Sequence, residues 1–147
     1  MPHLSGTITP WGPLILVVVG PSAPRIQALT AAGQTPPTAI VARLVVDTGA
    51  SLTAIDCTIL QQLGLTSKGT TPVHTPSTAG VPHNANQYDV GIIIFGLMNA
   101  IVHAAPALPV IDGNFKAQGI DWLLGRDVLA TSRMSYNGMD GWYGISF

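Results

Sequence analysis

The sequence has few charged side chains and no glutamate. Lys and Arg together number six, all seven acidic residues are Asp, and charged residues make up 9% of the 147 residues, against roughly 25% in an average globular protein. The net charge is -1, without the basic stripe that nucleic-acid or anionic-membrane binders need. We therefore expect neither nucleic acid nor membrane as a partner. A surface so poor in charge instead predicts self-association.

Cysteine is nearly absent, and so are metal-binding patterns. Cys57 is the single cysteine, which excludes an internal disulfide and a cysteine-based metal cluster. The histidines lack the spacing of metal ligands, so we expect surface or loop positions for them and neither metal nor cofactor. They are His3, His74, His83 and His103.

Targeting and membrane-spanning segments are missing from the sequence as well. The N-terminus has no positive region followed by an apolar core and a cleavage site, so we expect a cytoplasmic rather than a secreted protein. The longest apolar run, residues 90–105, is interrupted by Asn99 and His103. It is shorter than the roughly 18 residues of a spanning helix. We interpret this run as two strands.

Proline and glycine, by contrast, are abundant, at 12 and 16 residues. They divide the chain into short apolar segments of strand length, and the absence of Glu–Lys pairs favours a mainly β protein. The length fits one domain, residues 1–147. Strands are predicted at 14–19, 40–46, 87–95, 99–103 and 122–124, and hairpins at 70–86 and 134–147. Short helical segments are predicted at 25–32, 55–63 and 126–132, and loops in the rest of 21–38 and at 106–118.

The segment Val45-Val46-Asp47-Thr48-Gly49-Ala50-Ser51 is the strongest functional signal. An apolar strand ends at Asp47 and a glycine turn follows it, so we expect the strand to bring the carboxylate into the interior. A buried carboxylate is costly unless it is paired, hydrogen-bonded or protonated, and function is the usual reason for one. The alternative is an Asx turn, in which Asp47 only bonds its own backbone two residues on.

A second motif, Trp122-Leu123-Leu124-Gly125-Arg126-Asp127-Val128-Leu129, joins an apolar strand to a short helix through a glycine. Asp-Thr-Gly-Ala-Ser, a hairpin with Pro and Gly, and then two apolar residues with Gly-Arg resemble, in this order, the retroviral-type aspartic proteases called retropepsins. The resemblance covers about residues 40–129. It implies an all-β, closed β-barrel-like acid protease fold with one or two short helices, assembled as a homodimer. It also implies an aspartic endopeptidase with a polypeptide substrate and no cofactor.

The resemblance also implies roles for single residues. Asp47 corresponds to the catalytic aspartate, Thr48 to a threonine that bonds across the dimer, and Gly49 to a glycine that contacts substrate backbone. Further substrate contacts are implied for Ala50, Ser51, Leu123 and a flap tip made of Ser77, Thr78, Ala79, Gly80, Val81 and Pro82. Leu124, Gly125 and Arg126 would support the site from behind, with Gly125 letting the chain pass close to the aspartate loop.

One carboxylate cannot both activate a water and donate a proton to the scissile carbonyl, so this chemistry needs two. The chain has one Asp-Thr-Gly, and the second carboxylate must then come from Asp47 of a partner subunit. Two carboxylates about 3 Å apart repel by roughly 5 kcal/mol at an effective dielectric near 20, or about four pKa units. The pair would share one proton, which predicts a bell-shaped pH profile with activity under mildly acidic conditions.

One position departs from the family pattern. Many viral members have a second acidic residue where this chain has Ser51, and that residue pairs with the later arginine. Asp127 is adjacent to Arg126 on a helix and is expected to point away from it. A backbone carbonyl or the partner subunit is then the expected partner of Arg126. The terminal segments 4–9 and 142–147 are the candidates for sealing the dimer.

The sequence also leaves other functions open. The main alternative is a catalytically silent retropepsin-like module for dimerisation or peptide binding, and a third is a zymogen-like state blocked by loop 21–38 or the flap. Residues 17–22 end a strand in a glycine turn but lack the glycine pattern and lysine of a nucleotide site. No Gly-x-Ser-x-Gly turn offers a serine nucleophile. Trp11, Trp122 and Trp142 are expected in the core or an interface.

Overall fold

The computed structural model describes residues 1–75 and 79–147, and about half of them lie in β-strands. The strands are β1 (His3–Thr9), β2 (Gly12–Pro21), β3 (Ile40–Val46), β4 (Ala54–Asp56), β5 (Gly69–Val73), β6 (His83–Phe95), β7 (Ile101–Gly113), β8 (Trp122–Leu124), β9 (Arg133–Asn137) and β10 (Trp142–Ser146). The helices are α1 (Ala23–Ala31), α2 (Cys57–Gln62) and α3 (Arg126–Leu129). None of the helices in these ranges is long and apolar enough to cross a membrane.

Six of the strands close into a barrel. β2 pairs with β3 and with β6, β3 with β8, β8 with β4, β4 with β7, and β7 with β6. The pairs β3–β8 and β4–β7 are parallel and the others antiparallel. Closure pairs backbone groups that an open sheet edge would leave unpaired. Beyond the barrel, β1, β10 and β9 continue from β2, and β5 flanks β6.

The core fills the inside of this barrel, because β2 and β6 alternate buried and more exposed residues in their central parts. This period of two places every second side chain inside a strand-built wall. Val17, Val19 and Ile94 from these strands meet Leu44 of β3 and the indole of Trp122 from β8, all at most 1% exposed. The mostly β class and the predicted strands 40–46 and 122–124 are thereby confirmed.

The hairpins are confirmed as well. β5 pairs with β6, β6 with β7, and β9 with β10, each antiparallel. In the last hairpin, the amide of Asp140 donates to Asn137 Oδ1 at 3.0 Å, which closes the turn after the Asn137-Gly138 pair. The terminal strands β1 and β10 pair with each other within one protomer. Their part in a dimer stays a prediction.

The predicted loop 106–118 is wrong, because β7 continues to Gly113. Proline usually interrupts a strand, since it cannot donate to the ladder. Here Pro106 lies where the β6–β7 register shifts between Val90 and Ile92, and Pro109 comes before β7 begins its pairing with β4 at Ile111. Both prolines thus lie where β7 is not yet paired with β4, so their missing N–H groups interrupt no hydrogen bonding to that strand.

Two expectations about helices also need correction. Three α-helices are present in the described ranges rather than one or two, because residues 23–31 form more than an isolated turn. The helix predicted over 55–63 begins only at Cys57. Ile55 instead pairs with Trp122 in the barrel, and Asp56 caps the helix by accepting from the Thr58 amide at 2.9 Å.

Candidate active site

Asp47 lies where β3 ends, at the point where the two sequence motifs meet. β3 runs parallel to β8, with Val46 opposite Leu124. The Asp47 amide donates to the Leu124 carbonyl at 3.0 Å, and the Arg126 amide donates to the Ala50 carbonyl at 2.9 Å. Segments almost 80 residues apart in sequence are therefore joined by backbone hydrogen bonds on both sides of the Asp47 loop, residues 47–51.

The carboxylate of Asp47 is half-buried rather than interior, so the expectation of a buried acid is wrong for the protomer. The strand ends at Val46 and the chain turns there, which brings the side chain to the surface. Oδ1 accepts from the amides of Gly49 at 2.8 Å and Ala50 at 3.3 Å, the geometry of an Asx turn. Oδ2 makes no hydrogen bond within the described ranges and remains available to a ligand.

The other residues of the Asp47 loop are open to solvent. Thr48, Gly49 and Ser51 are exposed, and Ala50 is half-buried. Thr48 and Ser51 are the residues for which the sequence predicts contacts across a dimer or with a substrate. Such contacts need accessible side chains, and this loop provides them.

Gly125 lies directly behind the loop. A Cβ at this position would come within 2.5 Å of the Leu52 carbonyl carbon, 2.6 Å of its oxygen and 2.8 Å of the Thr53 nitrogen. Backbone atoms cannot move aside as a side chain can, so only glycine fits between β8 and α3. Its neighbour Leu124 is fully buried, whereas Leu123 is half-buried between Val45 and Ala54.

A clamp formed by Thr53 and Asp127 was missed by the sequence analysis. The Thr53 hydroxyl donates to Asp127 Oδ1 at 2.7 Å, and the Thr53 amide donates to Oδ2 at 2.9 Å. The same hydroxyl accepts from the Gly125 amide at 3.1 Å, and Thr53 is fully buried. The signal for this clamp was a threonine after the first motif and an aspartate after Gly-Arg, but only Arg126 was considered as a partner for Asp127.

Arg126 itself is exposed. Its guanidinium makes neither an ion pair nor a hydrogen bond with the part of the chain that the structure describes. The carboxylate of Asp127 is turned toward Thr53, in line with the expectation that adjacent helical residues point apart. The partner of Arg126 in an assembly stays a prediction.

Two buried carboxylates lie elsewhere in the barrel. The sequence predicts Asp56 as a helix cap, which is confirmed, and Asp121 was not singled out. Asp56 is 2% exposed and accepts from the Thr58 amide and hydroxyl, the Phe115 amide and the Lys116 amide, at 2.6–2.9 Å. Burial by itself raises the pKa of Asp56, but the hydrogen bonds from Thr58, Phe115 and Lys116 outweigh it and hold the pKa below its ordinary value.

Asp121 is 5% exposed and is satisfied in a similar way. It accepts from the Arg43 amide at 2.7 Å and from Lys116 Nζ at 2.6 Å, and the Arg43 guanidinium lies 3.8 Å away. Burial raises the pKa of Asp121, yet these donors and the two positive charges bring the pKa below its ordinary value. We call Asp56 and Asp121 the structural carboxylate pair. Asp56 bonds residues 115–116, and Asp121 bonds Arg43 of β3.

The predicted flap corresponds to the hairpin of β5 and β6, in which Val73 pairs with His83. Ala79 and Gly80 both have left-handed backbone conformations, with φ of 48° and 82°. Val81 is 70% exposed. Ser77 and Thr78, two of the six residues of the predicted tip, lie outside the described residues.

Neither of the two best-defined cavities lies at the Asp47 loop. A cavity of about 340 Å³ borders α1, and one of about 470 Å³ lies between β1, β2 and the β6–β7 turn. Among the described residues no group of three or more His, Cys or acidic side chains converges as metal ligands would. Asp47 is therefore part of an open surface, and its chemistry must be argued from acid–base groups.

Comparison with known proteins agrees with this geometry. A family model described as aspartyl protease matches residues 39–128, and no curated protein sequence matches the chain. A retropepsin-like aspartic protease from Rickettsia conorii is 14% identical over 97% of this chain and 89% of its own, with a TM-score of 0.57. This likeness shows a retropepsin-like fold.

Two further solved structures are similar at lower TM-scores. The EIAV protease complexed with the inhibitor HBY-793 is 17% identical over 80% of this chain and 85% of its own, with a TM-score of 0.45. The retroviral protease-like domain of Ddi1 from Leishmania major is 15% identical over 85% of this chain and 82% of its own, with a TM-score of 0.39.

Proposed function

The chain belongs to the aspartyl protease family, and we propose that it is a homodimeric endopeptidase in which Asp47 of each subunit supplies one carboxylate of a catalytic dyad. In this proposal residues 1–147 act as one protease domain on extended polypeptides. The observation that carries it is the state of Asp47. The carboxylate is held by two amides through Oδ1, while Oδ2 has no partner in the described ranges.

The contrast with the other acids supports this choice. Asp56 and Asp121 are buried and fully engaged by donors, so neither is available to a substrate. Asp47 is half-buried, bonded by two amides of its own loop, and lies within the residues that the family model matches. One such group per chain is half of the acid–base pair that peptide hydrolysis by this route needs.

The proposed reaction runs through a shared proton. The ionised Asp47 takes a proton from a water, whose oxygen attacks the scissile carbonyl carbon, while the protonated Asp47 of the partner subunit donates to the carbonyl oxygen. The tetrahedral diol then collapses as the C–N bond breaks. The Asp47 that took the water's proton gives it to the amide nitrogen, and Asp47 of the partner subunit takes a proton from a diol hydroxyl, so the amine leaves and the dyad regains its starting charge. Because the two ionisations belong to the pair, activity should follow a bell-shaped pH profile on the acidic side of neutrality.

Other residues have proposed roles in binding. Thr48 would bond across the dimer, and Gly49 with Ser51 would hydrogen-bond the substrate backbone. The hairpin tip, Ser77 to Pro82, would close over the substrate and help to hold the tetrahedral species through its amides. Leu123 would line an apolar pocket, and Leu124, Gly125 and Arg126 would support the loop.

A second candidate is a catalytically silent dimerisation or peptide-binding module. The bonds from Gly49 and Ala50 to Asp47 Oδ1 favour it to a degree, because an Asx turn needs no chemistry to explain it. Such a module would keep the fold and the exposed loop. It would lack any cleavage that depends on the carboxylate.

The test is cleavage of a peptide library between about pH 4 and 7 by the native chain, by Asp47→Asn, and by Asp140→Asn as the matched control. Asp140 is exposed in the β9–β10 turn, where it bonds Asn137. We expect cleavage by the native chain and by Asp140→Asn, and none above background by Asp47→Asn. Equal rates in all three, or no cleavage at concentrations where sedimentation shows a dimer, would favour the silent module.

A further inference from the structure

The outer side of four neighbouring barrel strands forms a continuous apolar surface, which we call the outer face. It consists of the outward residues of β2, β3, β6 and β7, namely Leu14, Leu16, Val18, Val41, Arg43, Ile93, Phe95, Ile101 and Ala104. The register places Val18 between Val41 and Ile93, and Phe95 beside Ile101. Arg43 is its one charge, and the guanidinium is engaged by Asp121 at 3.8 Å.

A hollow and a projecting tip lie side by side at one end of the outer face. The hollow measures about 470 Å³, and Leu4, Gly6, Leu16, Phe95 and Tyr143 are among its lining residues. The tip is the β6–β7 turn, where Leu97 is 73% and Met98 is 99% exposed.

The tip has a defined backbone. Met98 and Asn99 both have left-handed conformations, with φ of 53° and 59°. Methionine seldom adopts this conformation, and Met98 is 99% exposed, so its side chain packs against none of the described residues of its own protomer. Methionine is also a flexible side chain that fills irregular apolar gaps well.

The size of the exposed apolar area points to a protein partner. Leu16, Val41, Phe95 and Ile101 are 37–66% exposed, and together with Leu97 and Met98 they expose on the order of 700 Å². The largest apolar patch on a typical monomer is roughly 300–600 Å², and a stable interface buries roughly 800 Å² per partner. The outer face therefore exceeds an ordinary surface patch and approaches the area of a stable dimer.

Two other occupants fit less well. Because the barrel is closed, the strands under the outer face already pair on both sides, and an added peptide strand would find few free backbone groups. An anionic membrane would need several accessible basic residues, but Arg43 is the single cation here and is engaged by Asp121.

We propose that a second copy of this chain docks on the outer face through a two-fold contact. In an isologous interface, each tip meets the partner's hollow, so that Leu97 and Met98 of one copy fill the space beside Leu16 and Phe95 of the other. The face lies on the sides of the strands, whereas Asp47 lies at the end of β3. This contact is therefore separate from the meeting of the two Asp47 loops, and both contacts together give assemblies of more than two chains. Leu4, Gly6 and Tyr143 of the hollow belong to the terminal segments 4–9 and 142–147, so the outer-face contact takes these residues away from sealing the catalytic dimer.

The test is sedimentation equilibrium of the full chain with Met98→Asp, Leu16→Asp and a matched control, Met139→Asp. Met139 is 99% exposed, like Met98, but lies in the β9–β10 turn outside the outer face. We expect species larger than two chains for the native protein and for Met139→Asp. Met98→Asp should weaken this association at least about 100-fold and leave two-chain species that cleave peptide.

The outcomes separate this inference from the proposed function. Identical masses for native protein and both outer-face variants would overturn it. Binding of the native chain to neutral phosphatidylcholine vesicles, lost in Met98→Asp without any change in mass, would also overturn it and assign the face to lipid. Association that responds to Met98→Asp in a chain without peptide cleavage would support the outer-face contact while contradicting the enzyme.

Discussion

The aspartate of the Asp47 loop and the two aspartates of the structural carboxylate pair differ in burial and in hydrogen bonding. Asp56 and Asp121 lie inside the barrel with donors on both oxygens, and hydrogen bonds outweigh the effect of burial on their pKa values. Asp47 lies at the surface with one oxygen held by its own loop. In this chain the buried acids maintain the fold, and we propose that Asp47, which keeps one oxygen without a partner in the described ranges, does the chemistry.

This difference corrects a simple rule. A buried carboxylate is costly and suggests function, but here burial marks the two acids that have a structural explanation. The carboxylate of Asp47 would become buried only when a partner subunit or substrate covers it. The buried, paired carboxylate that the proposal needs would therefore form only in the assembly.

The strongest test of this comparison changes one acid from each region to the same residue. Asp47→Asn should lower peptide cleavage by at least about 10²–10⁴-fold, because it removes the acid–base group, and should change the free energy of unfolding by about 0.5 kcal/mol or less. Asp56→Asn should cost about 2–4 kcal/mol of stability, because buried amides lose their acceptor, while the folded fraction stays active. Urea unfolding and a peptide assay measure both, and the comparison fails if the two variants behave alike.

Gly125→Ala should damage both regions through the backbone. The new Cβ would meet Leu52 and Thr53 backbone atoms at 2.5–2.8 Å, and such overpacking costs about 1–3 kcal/mol. The displaced Asp47 loop should also lower cleavage by the folded protein. Gly138→Ala is the control, because its Cβ would touch only the Tyr136 ring at 3.4 Å. Similar unfolding midpoints for the two variants would contradict the close passage behind the loop.

Acid should weaken the fold through the structural carboxylate pair, Asp56 and Asp121. The pKa values of Asp56 and Asp121 are lower in the folded state than their ordinary value of 3.8. Their contribution to stability is then complete above that value and is lost as the pH falls below it, toward the folded-state pKa. Urea unfolding between pH 7 and 2 should show a steep loss of stability below about pH 4, and a shallower one in Asp56→Asn. Parallel curves for the two proteins would contradict this assignment.

Thr53→Val tests the clamp between the Asp47 loop and α3. Without the hydroxyl, the buried Gly125 amide loses its acceptor and Asp127 loses a donor, a loss of about 1–3 kcal/mol. If the clamp positions the catalytic loop, kcat should fall while KM changes little. Thr53→Ser restores the hydroxyl and should recover both quantities. Failure of Thr53→Ser to recover kcat would show that the methyl group's packing matters more than the hydrogen bonds.

Arg126→Ala should have the smallest effect on the protomer. Its guanidinium is exposed and makes no ion pair within the described ranges, so the free energy of unfolding should change by about 0.5 kcal/mol or less. Unfolding curves at two protein concentrations provide the measurement. A larger loss that grows with dilution would show that Arg126 bonds the partner subunit and stabilises the dimer.

Much of the fold could be predicted, for reasons visible in single elements. β3 and β8 are apolar runs bounded by clear turn residues, and their bounds agree with the prediction. β4 is three residues long and forms because Ala54 and Ile55 pair with Leu123 and Trp122, partners that are remote in sequence. β7 was predicted too short because proline normally ends a strand, and only the register shows that its prolines break no second ladder.

The sequence alone determined the order of the two motifs and the single copy of Asp-Thr-Gly within these 147 residues, which is why we propose a second chain for the catalytic dyad. Local patterns suffice for this, because the motifs are contiguous and the acid–base argument is one of counting. The tertiary structure decided which aspartates are buried and satisfied. Thr58 and Lys116 are local donors to Asp56 and Asp121, but Phe115 lies 59 residues from Asp56 and Arg43 lies 78 residues from Asp121. No local pattern encodes contacts at that distance.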